Sequence, residues 1–153
     1  MHDHLLNLDL GDFQPGTRAP DTEAKRELID QSLDSTSRFF EAIVAGDVGT
    51  VPVVPCLSEE LYELCRCWAQ RSGHRPGPHQ RLVNALVRKH GAIATRKRYA
   101  LPSGEVLGPK SMVLMGQLEA PPGMTDTAWL GDCIARFRQA ADTYRGAPNA
   151  RAA

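Results

Sequence analysis

The chain has 153 residues, 42% of them hydrophobic, and its 18 Lys and Arg residues balance its 18 Asp and Glu residues. This length supports one hydrophobic core with short appendages. No apolar run approaches the roughly 20 residues of a membrane span, and the N-terminus lacks the basic-then-apolar order of a signal peptide. We therefore expect a cytoplasmic protein with no membrane partner.

The neutral total conceals a strongly basic stretch. Nine Lys and Arg residues lie between Arg71 and Lys110 against one acid, Glu105, whereas the rest of the chain carries nine bases and seventeen acids. Such a local excess of positive charge repels itself unless an anion compensates it, and a phosphate backbone is the commonest such anion. Nucleic acid is therefore the first hypothesis for the partner.

The N-terminal third combines a linker with a helical extension. Residues 1–20 hold a short apolar patch between Leu5 and Phe13, ended by Pro and Gly, and are predicted to be a linker that docks on another surface. Residues 21–55 form the predicted extension. Its helices run from Thr22 to Ser32, after an Asp21 cap, and from 36 to 45, after Asp34 or Ser35; an extended connector follows over 46–55.

Two further helices follow Ser58. Apolar residues recur at spacings of three and four up to Trp68, which predicts a helix capped by Ser58 and ended by Gly73. After a break over residues 74–78, a second helix runs to about His90 and stops at Gly91. One face of this second helix is apolar and predicted to be buried: Leu82, Val83, Leu86 and Val87.

The opposite face of the second helix is polar. It gathers residue types that bond to base edges and phosphates: Gln80, Arg81, Asn84 and Arg88. Extended runs over residues 92–100 and 110–115, around a Pro-Ser-Gly turn, then predict a β-hairpin with Arg96, Lys97, Arg98 and Tyr99 on its first arm. For Tyr99, stacking on a base and a structural role are both open.

Helix, break, basic helix and basic hairpin is the order of a winged helix. The predicted fold is mainly α with a small β-hairpin: a winged helix-turn-helix domain over residues 56–118, flanked by N- and C-terminal helices. The region 119–153 is predicted to hold a helix from about Asp126 to Arg145 and a disordered tail after Gly146. The candidate nucleic-acid contacts are Arg75, Gln80, Arg81, Asn84, Arg88, Lys89, Arg96, Lys97, Arg98, Tyr99 and Lys110.

Nothing in the sequence indicates a cofactor or a catalytic centre. Of the four cysteines, Cys65 and Cys67 are two apart and would point in nearly opposite directions on a helix, which argues against zinc. There is no phosphate-binding loop and no Ser/His/Asp or Cys/His spacing, so we expect no enzymatic activity. Trp68 and Trp129 lie in apolar helical stripes and are predicted to be core residues.

Two segments resemble a known family. The run LLNLDLGDFQPGTRAPDTEAKRELIDQS is similar to the segment after the ATPase core of phage and plasmid primase-helicases of the superfamily 3 type, with its L-x-x-x-D-L-x-x-F-x-P and A-P-x-T-x-A-K spacing. The run LYELCRCWAQRSGHRPGPHQRLVNALVRKHG resembles the helical half of their C-terminal winged-helix domain. The resemblance spans about residues 5–115 and matches Tyr62 and Trp68 to the family's core aromatics.

The resemblance implies a non-catalytic, DNA-binding piece of a replicative helicase in a bacterial host cell, acting near the nucleoid. Its partners would be duplex or forked DNA and a helicase ATPase core, as the rest of the polypeptide or as a separate protein. Two alternatives stay open. The winged helix could dock on a helicase core or another protein instead of DNA, or the chain could be a stand-alone phage regulator.

Overall fold

The computed structural model describes Thr22 and residues 35–147. Within these residues the fold is mixed α/β and mostly helical, with four helices and one small antiparallel sheet. The elements are α1 (residues 35–45), β1 (Cys56–Leu57), α2 (Ser58–Ser72), α3 (His79–His90), β2 (Ile93–Ala100), β3 (Val106–Leu114) and α4 (Asp126–Gly146). No helix in the described part of the chain is long and apolar enough to cross a membrane.

The ends of α2 and α3 follow from their glycines. Gly73 and Gly91 both take the left-handed conformation that terminates helices, with φ of 72° and 65°, which confirms the predicted stops. The predicted cap of α2 is wrong. Leu57 occupies the N-cap position, and Ser58 lies inside the helix, where its hydroxyl donates to the Ser111 carbonyl at 3.3 Å.

The sheet has the order β1-β3-β2, and both pairings are antiparallel. The predicted hairpin is confirmed as β2 and β3, although β3 starts at Val106, earlier than the predicted run at Lys110. Strand β1 was not predicted. It adds a third strand to the sheet by pairing Cys56 with Val113.

One core joins all of these elements. Its fully buried side chains come from α1, α2, α3, the sheet and α4: Phe39, Leu61, Leu86, Met112 and Phe137. Trp68 and Trp129 are 6% and 4% exposed, which confirms them as core residues. Val87 is 39% exposed, so its predicted burial is wrong; Ala85 is buried on α3 instead.

Helix α4 is attached to this core at three points. Near its start, Gly131 lies so close to Ala100 that a methyl group there would overlap the Ala100 carbonyl oxygen. Further along, the Arg138 guanidinium donates to Glu60 at 2.7 Å. At its C-terminal end, α4 receives hydrogen bonds from Arg71 of α2.

Three sequence predictions lie outside the described residues. They are the docking segment over residues 1–20, the helix from Thr22 to Ser32 apart from Thr22 itself, and the tail from residue 148 onwards.

Candidate nucleic-acid interface

Helix α3 presents a polar face to solvent and an apolar face to the core. Gln80, Arg81, Asn84 and Arg88 are exposed, as their helical spacing predicts. Gln80 and Asn84 are one turn apart, and the Gln80 amide nitrogen donates to the Asn84 amide oxygen at 3.2 Å. The polar face therefore carries two linked carboxamides beside two guanidinium groups.

Contacts from α2 fix the start of α3. The Tyr62 hydroxyl donates to the Gly77 carbonyl at 3.1 Å, and the ring of Tyr62 lies 5.2 Å from that of His79. His79 Nε2 is also 3.1 Å from the Ser58 carbonyl oxygen. These contacts hold the loop between α2 and α3, and Arg75 on that loop is exposed.

The end of α3 is basic and lies near α1. Its last turn holds Arg88, Lys89 and His90, and positive charge there is favourable because the C-terminal end of a helix is partly negative. The Lys89 ammonium donates to the Ser37 hydroxyl at 3.3 Å, and the His90 ring stacks on Phe40 at 4.1 Å. Lys89 thus contacts α1, and this contact between distant parts of the chain could not be predicted from the residues next to Lys89.

The two faces of β2 differ in what they contact. Side chains alternate along a strand, so Lys97 and Tyr99 share one face and Arg96 and Arg98 the other. The register shift in the hairpin lies between Lys97 and Tyr99, where β3 contributes the extra residue and the alternation of β2 is kept. Lys97 and Tyr99 both contact α4, whereas Arg96 and Arg98 are exposed.

Two lysines stand directly opposite each other in the hairpin. Lys97 pairs in register with Lys110, and like charges in that arrangement are destabilising. Asp126, at the start of α4, lies 3.1 Å from the Lys97 ammonium. Lys110 is exposed and has no ion pair within the described residues. Of the two opposed ammonium groups, only that of Lys97 thus has a carboxylate partner in the described residues, and α4 supplies it.

Tyr99 belongs to the core. It is 3% exposed, and its hydroxyl accepts a hydrogen bond from Arg138 at 3.5 Å. A base could not reach its ring without opening the contact between β2 and α4. Of the two roles left open for Tyr99, the structure therefore supports the structural one, and we remove Tyr99 from the interface.

The charges of α4 are compensated, whereas several bases of α3 and the hairpin have no acid partner in the described part of the chain. Each base of α4 has an acid partner: Arg136 with Asp132 at 3.9 Å, Arg138 with Glu60 at 2.7 Å, and Arg145 with Asp142 at 3.0 Å. No Asp or Glu occurs between Glu63 and Glu105. Four exposed bases in or beside this acid-free segment have side chains that make no hydrogen bond or ion pair with the described part of the chain: Arg75, Arg88, Arg98 and Lys110.

The other basic residues of the candidate interface already have partners within the protein. Arg96 donates to the Pro109 carbonyl at 3.5 Å across the hairpin, and Lys97 is held by Asp126. Arg81 is exposed, but its side chain already interacts with another group of the protein. Sequence reasoning missed the Lys97–Asp126 pair, since no local pattern links a strand to a helix that begins 29 positions later.

Three of the four cysteines fill space in the core. Cys56, Cys65 and Cys133 are buried free thiols, and burial raises the pKa of Cys56 well above its usual range and that of Cys65 to about 12. Because metals bind the thiolate form, these side chains are poor ligands where they stand. Residues 35–147 contain no group of three His, Cys, Asp or Glu side chains that could hold a metal ion.

Comparison with known proteins returned no match. No family model, no curated protein and no solved structure matches this chain.

Proposed function

We propose that this chain is a DNA-binding module of the winged-helix type. The order of its elements supports this: a helix, a short strand, two helices and a hairpin, with β1 joining the sheet beside β3. In this arrangement α3 enters a groove of the duplex, and β2 with β3 forms the wing that lies along the phosphate backbone.

One observation carries the proposal. The exposed side chains of Arg75, Arg88, Arg98 and Lys110 have no acid partner within residues 35–147, although the same protein pairs every base of α4. These basic side chains on α3, on the loop before it and on the hairpin therefore lack an anion, and DNA supplies a regular row of anions. Two lysines opposite each other in a hairpin repel, and on a surface that binds no ligand nothing would offset the cost of pairing Lys110 with Lys97.

The role of this module within a larger replication protein is proposed from the sequence resemblance. We propose that it anchors a primase-helicase of the phage and plasmid type on its template, with the ATPase core as its protein partner and with no catalytic role of its own. The alternative is a module that docks on a protein through the same helix and wing. DNA binding separates the two, because a purely protein-binding module would show no salt-dependent affinity for DNA.

Salt dependence tests the proposal. Each neutralised phosphate of duplex DNA releases about 0.9 counterion, so contacts by four to six bases should give a log–log slope of about −4 to −5. The measurement is fluorescence anisotropy with labelled duplex, forked and single-stranded DNA over a range of salt. No binding at low salt, or a slope of zero, would overturn the proposal.

Charge-matched variants then locate the surface. Replacing Arg96 and Arg98 with Ala removes two bases from the outer face of β2 and should make the slope less negative by about 1 to 2. The control replaces Arg66 and Arg136, two exposed bases on α2 and α4, with Ala. Equal losses of affinity in the two double variants would place the DNA elsewhere.

A further inference from the structure

The exposed face of α3 has an uncharged ridge along one side. Gln80, Asn84 and Val87 are spaced i, i+4 and i+7, so they project in nearly the same direction from the helix. Arg81 and Arg88 lie beside this row and are rotated from it by about a quarter turn. We call Gln80, Asn84 and Val87 the α3 ridge.

The carboxamides of the ridge are coupled. The Gln80 amide nitrogen donates to the Asn84 amide oxygen at 3.2 Å, which leaves the Gln80 oxygen as an acceptor and the Asn84 nitrogen as a donor. Adenine presents the complementary pair in the major groove, an N6 amino donor beside an N7 acceptor. The hydrogen bond between the amides also limits their freedom before binding, which lowers the entropy cost of recognition.

Val87 adds an apolar contact to the same ridge. It is 39% exposed, although Leu82, Val83 and Leu86 of the same helix are buried. An isopropyl group on a groove-facing helix can contact the 5-methyl group of thymine, which other bases lack in the major groove. A surface built only for phosphate would gain nothing from an exposed valine or from neutral amides beside its arginines.

From this arrangement we propose that the α3 ridge reads an A·T-containing element in the major groove of duplex DNA. The coupled amides of Gln80 and Asn84 contact an adenine, Val87 contacts a neighbouring thymine methyl, and the flanking arginines contact phosphate or guanine. This inference rests on the proposed DNA binding and adds to it a sequence preference centred on A·T pairs.

Selection from a random pool of duplexes tests the preference. The full chain is incubated with the pool at moderate salt, and bound DNA is recovered and sequenced over several rounds. We expect enrichment of a motif with adenine and thymine in adjacent pairs, bound about 5- to 150-fold more tightly than the same duplex with those pairs changed to G·C.

Base analogues in the enriched duplex then assign each contact. 7-Deazaadenine removes the N7 acceptor and should lower the DNA affinity of the parent protein but not that of the Asn84→Ala variant. Uracil in place of thymine removes the methyl group and should lower the DNA affinity of the parent protein but not that of the Val87→Ala variant. The matched control is Gln70→Ala, which removes an exposed carboxamide from α2, outside the ridge, and should keep the full response to both analogues.

The outcomes separate this inference from the proposed function. Salt-dependent binding with no enriched motif, or a motif read equally well by Asn84→Ala and Val87→Ala, would overturn the ridge as a reader and leave DNA binding intact. Absence of any DNA binding would overturn both. A far-ultraviolet circular dichroism melt of each variant shows that a lost response is not a loss of folding.

Discussion

Arg71 lies in the basic stretch, but its guanidinium group binds the protein rather than a ligand. Its nitrogens donate to the carbonyl oxygens of Tyr144, Arg145 and Ala147 at 2.7, 2.9 and 2.8 Å. The group also lies over the Tyr144 ring, 4.5 Å from its centre. The last carbonyls of a helix have no partner within the helix, so Arg71 completes the end of α4. A count of charges along the sequence cannot separate this arginine from those that face solvent.

Replacing Arg71 with Ala should destabilise the fold without affecting DNA affinity. Hydrogen bonds from a charged donor contribute about 1.5 to 3 kcal/mol, so we expect the free energy of unfolding to fall by about 2 kcal/mol. Urea denaturation measures it. Arg66→Ala is the matched control, because Arg66 is an exposed arginine of α2 with no such contacts, and it should stay within about 0.5 kcal/mol of the parent. Equal stability of the two variants would contradict this role.

At the level of elements, the contact between α4 and β2 depends on a residue with no side chain. Gly131 allows the helix to approach the Ala100 carbonyl closely, and Lys97 and Tyr99 on the same strand contact Asp126 and Arg138 of α4. The strand that bears the exposed arginines on one face is thus held in place from its other face. The position of the hairpin depends on this helix.

Gly131→Ala should separate α4 from β2. The added methyl group meets backbone rather than a movable side chain, so the helix or the strand must shift, at a cost of about 1 to 3 kcal/mol. Gly146→Ala, in the same helix with no atom near the new methyl group, should be neutral or stabilising by up to about 1 kcal/mol. Thermal melts of both variants make the comparison. A parent-like melt for Gly131→Ala would show that this contact adjusts without cost.

The helices and strands differ in how far the sequence alone could predict them. Helices α2 and α3 were predictable because their apolar spacing and terminal glycines are local signals. Strand β1 was not, since two residues give no alternating pattern. The exposure of Val87 and the burial of Tyr99 depend on which elements cover them, and α4 was predicted as a helix but not as a neighbour of β2. The polar face of α3 was predictable in full because it follows from helical spacing alone.

At the scale of the whole molecule, α3 and the hairpin hold one acid, Glu105, whereas α4 holds three acids and three bases, and the boundary between these two charge patterns runs between the hairpin and α4. Asp126 stands at that boundary. It is the acid partner of Lys97 in the structure, and DNA would compete with it for the same ammonium group. Removal of this carboxylate should therefore extend the surface that lacks an anion.

Asp126→Asn should raise DNA affinity by about two- to fivefold, the equivalent of one exposed ion pair, and make the salt slope more negative by about 0.9. Its cost in stability should be small, at about 0.3 to 1 kcal/mol, because an acid in the first turn favours the helix. Asp132→Asn removes a charge from the same helix but leaves Lys97 paired. If both variants bind DNA alike, the effect belongs to net charge and not to Lys97.

The strand order has a consequence for how the chain is made. The first strand of the sheet, β1, pairs with the last, β3, and the core then requires Trp129 and Phe137 from α4. A nascent chain leaving a ribosome therefore holds β1 unpaired, and its apolar helices uncovered, until nearly the whole described sequence has been synthesised. Such late closure makes folding slow and leaves growing chains exposed to aggregation. Stalled chains that end before Leu114 should accordingly be sensitive to protease along their whole length.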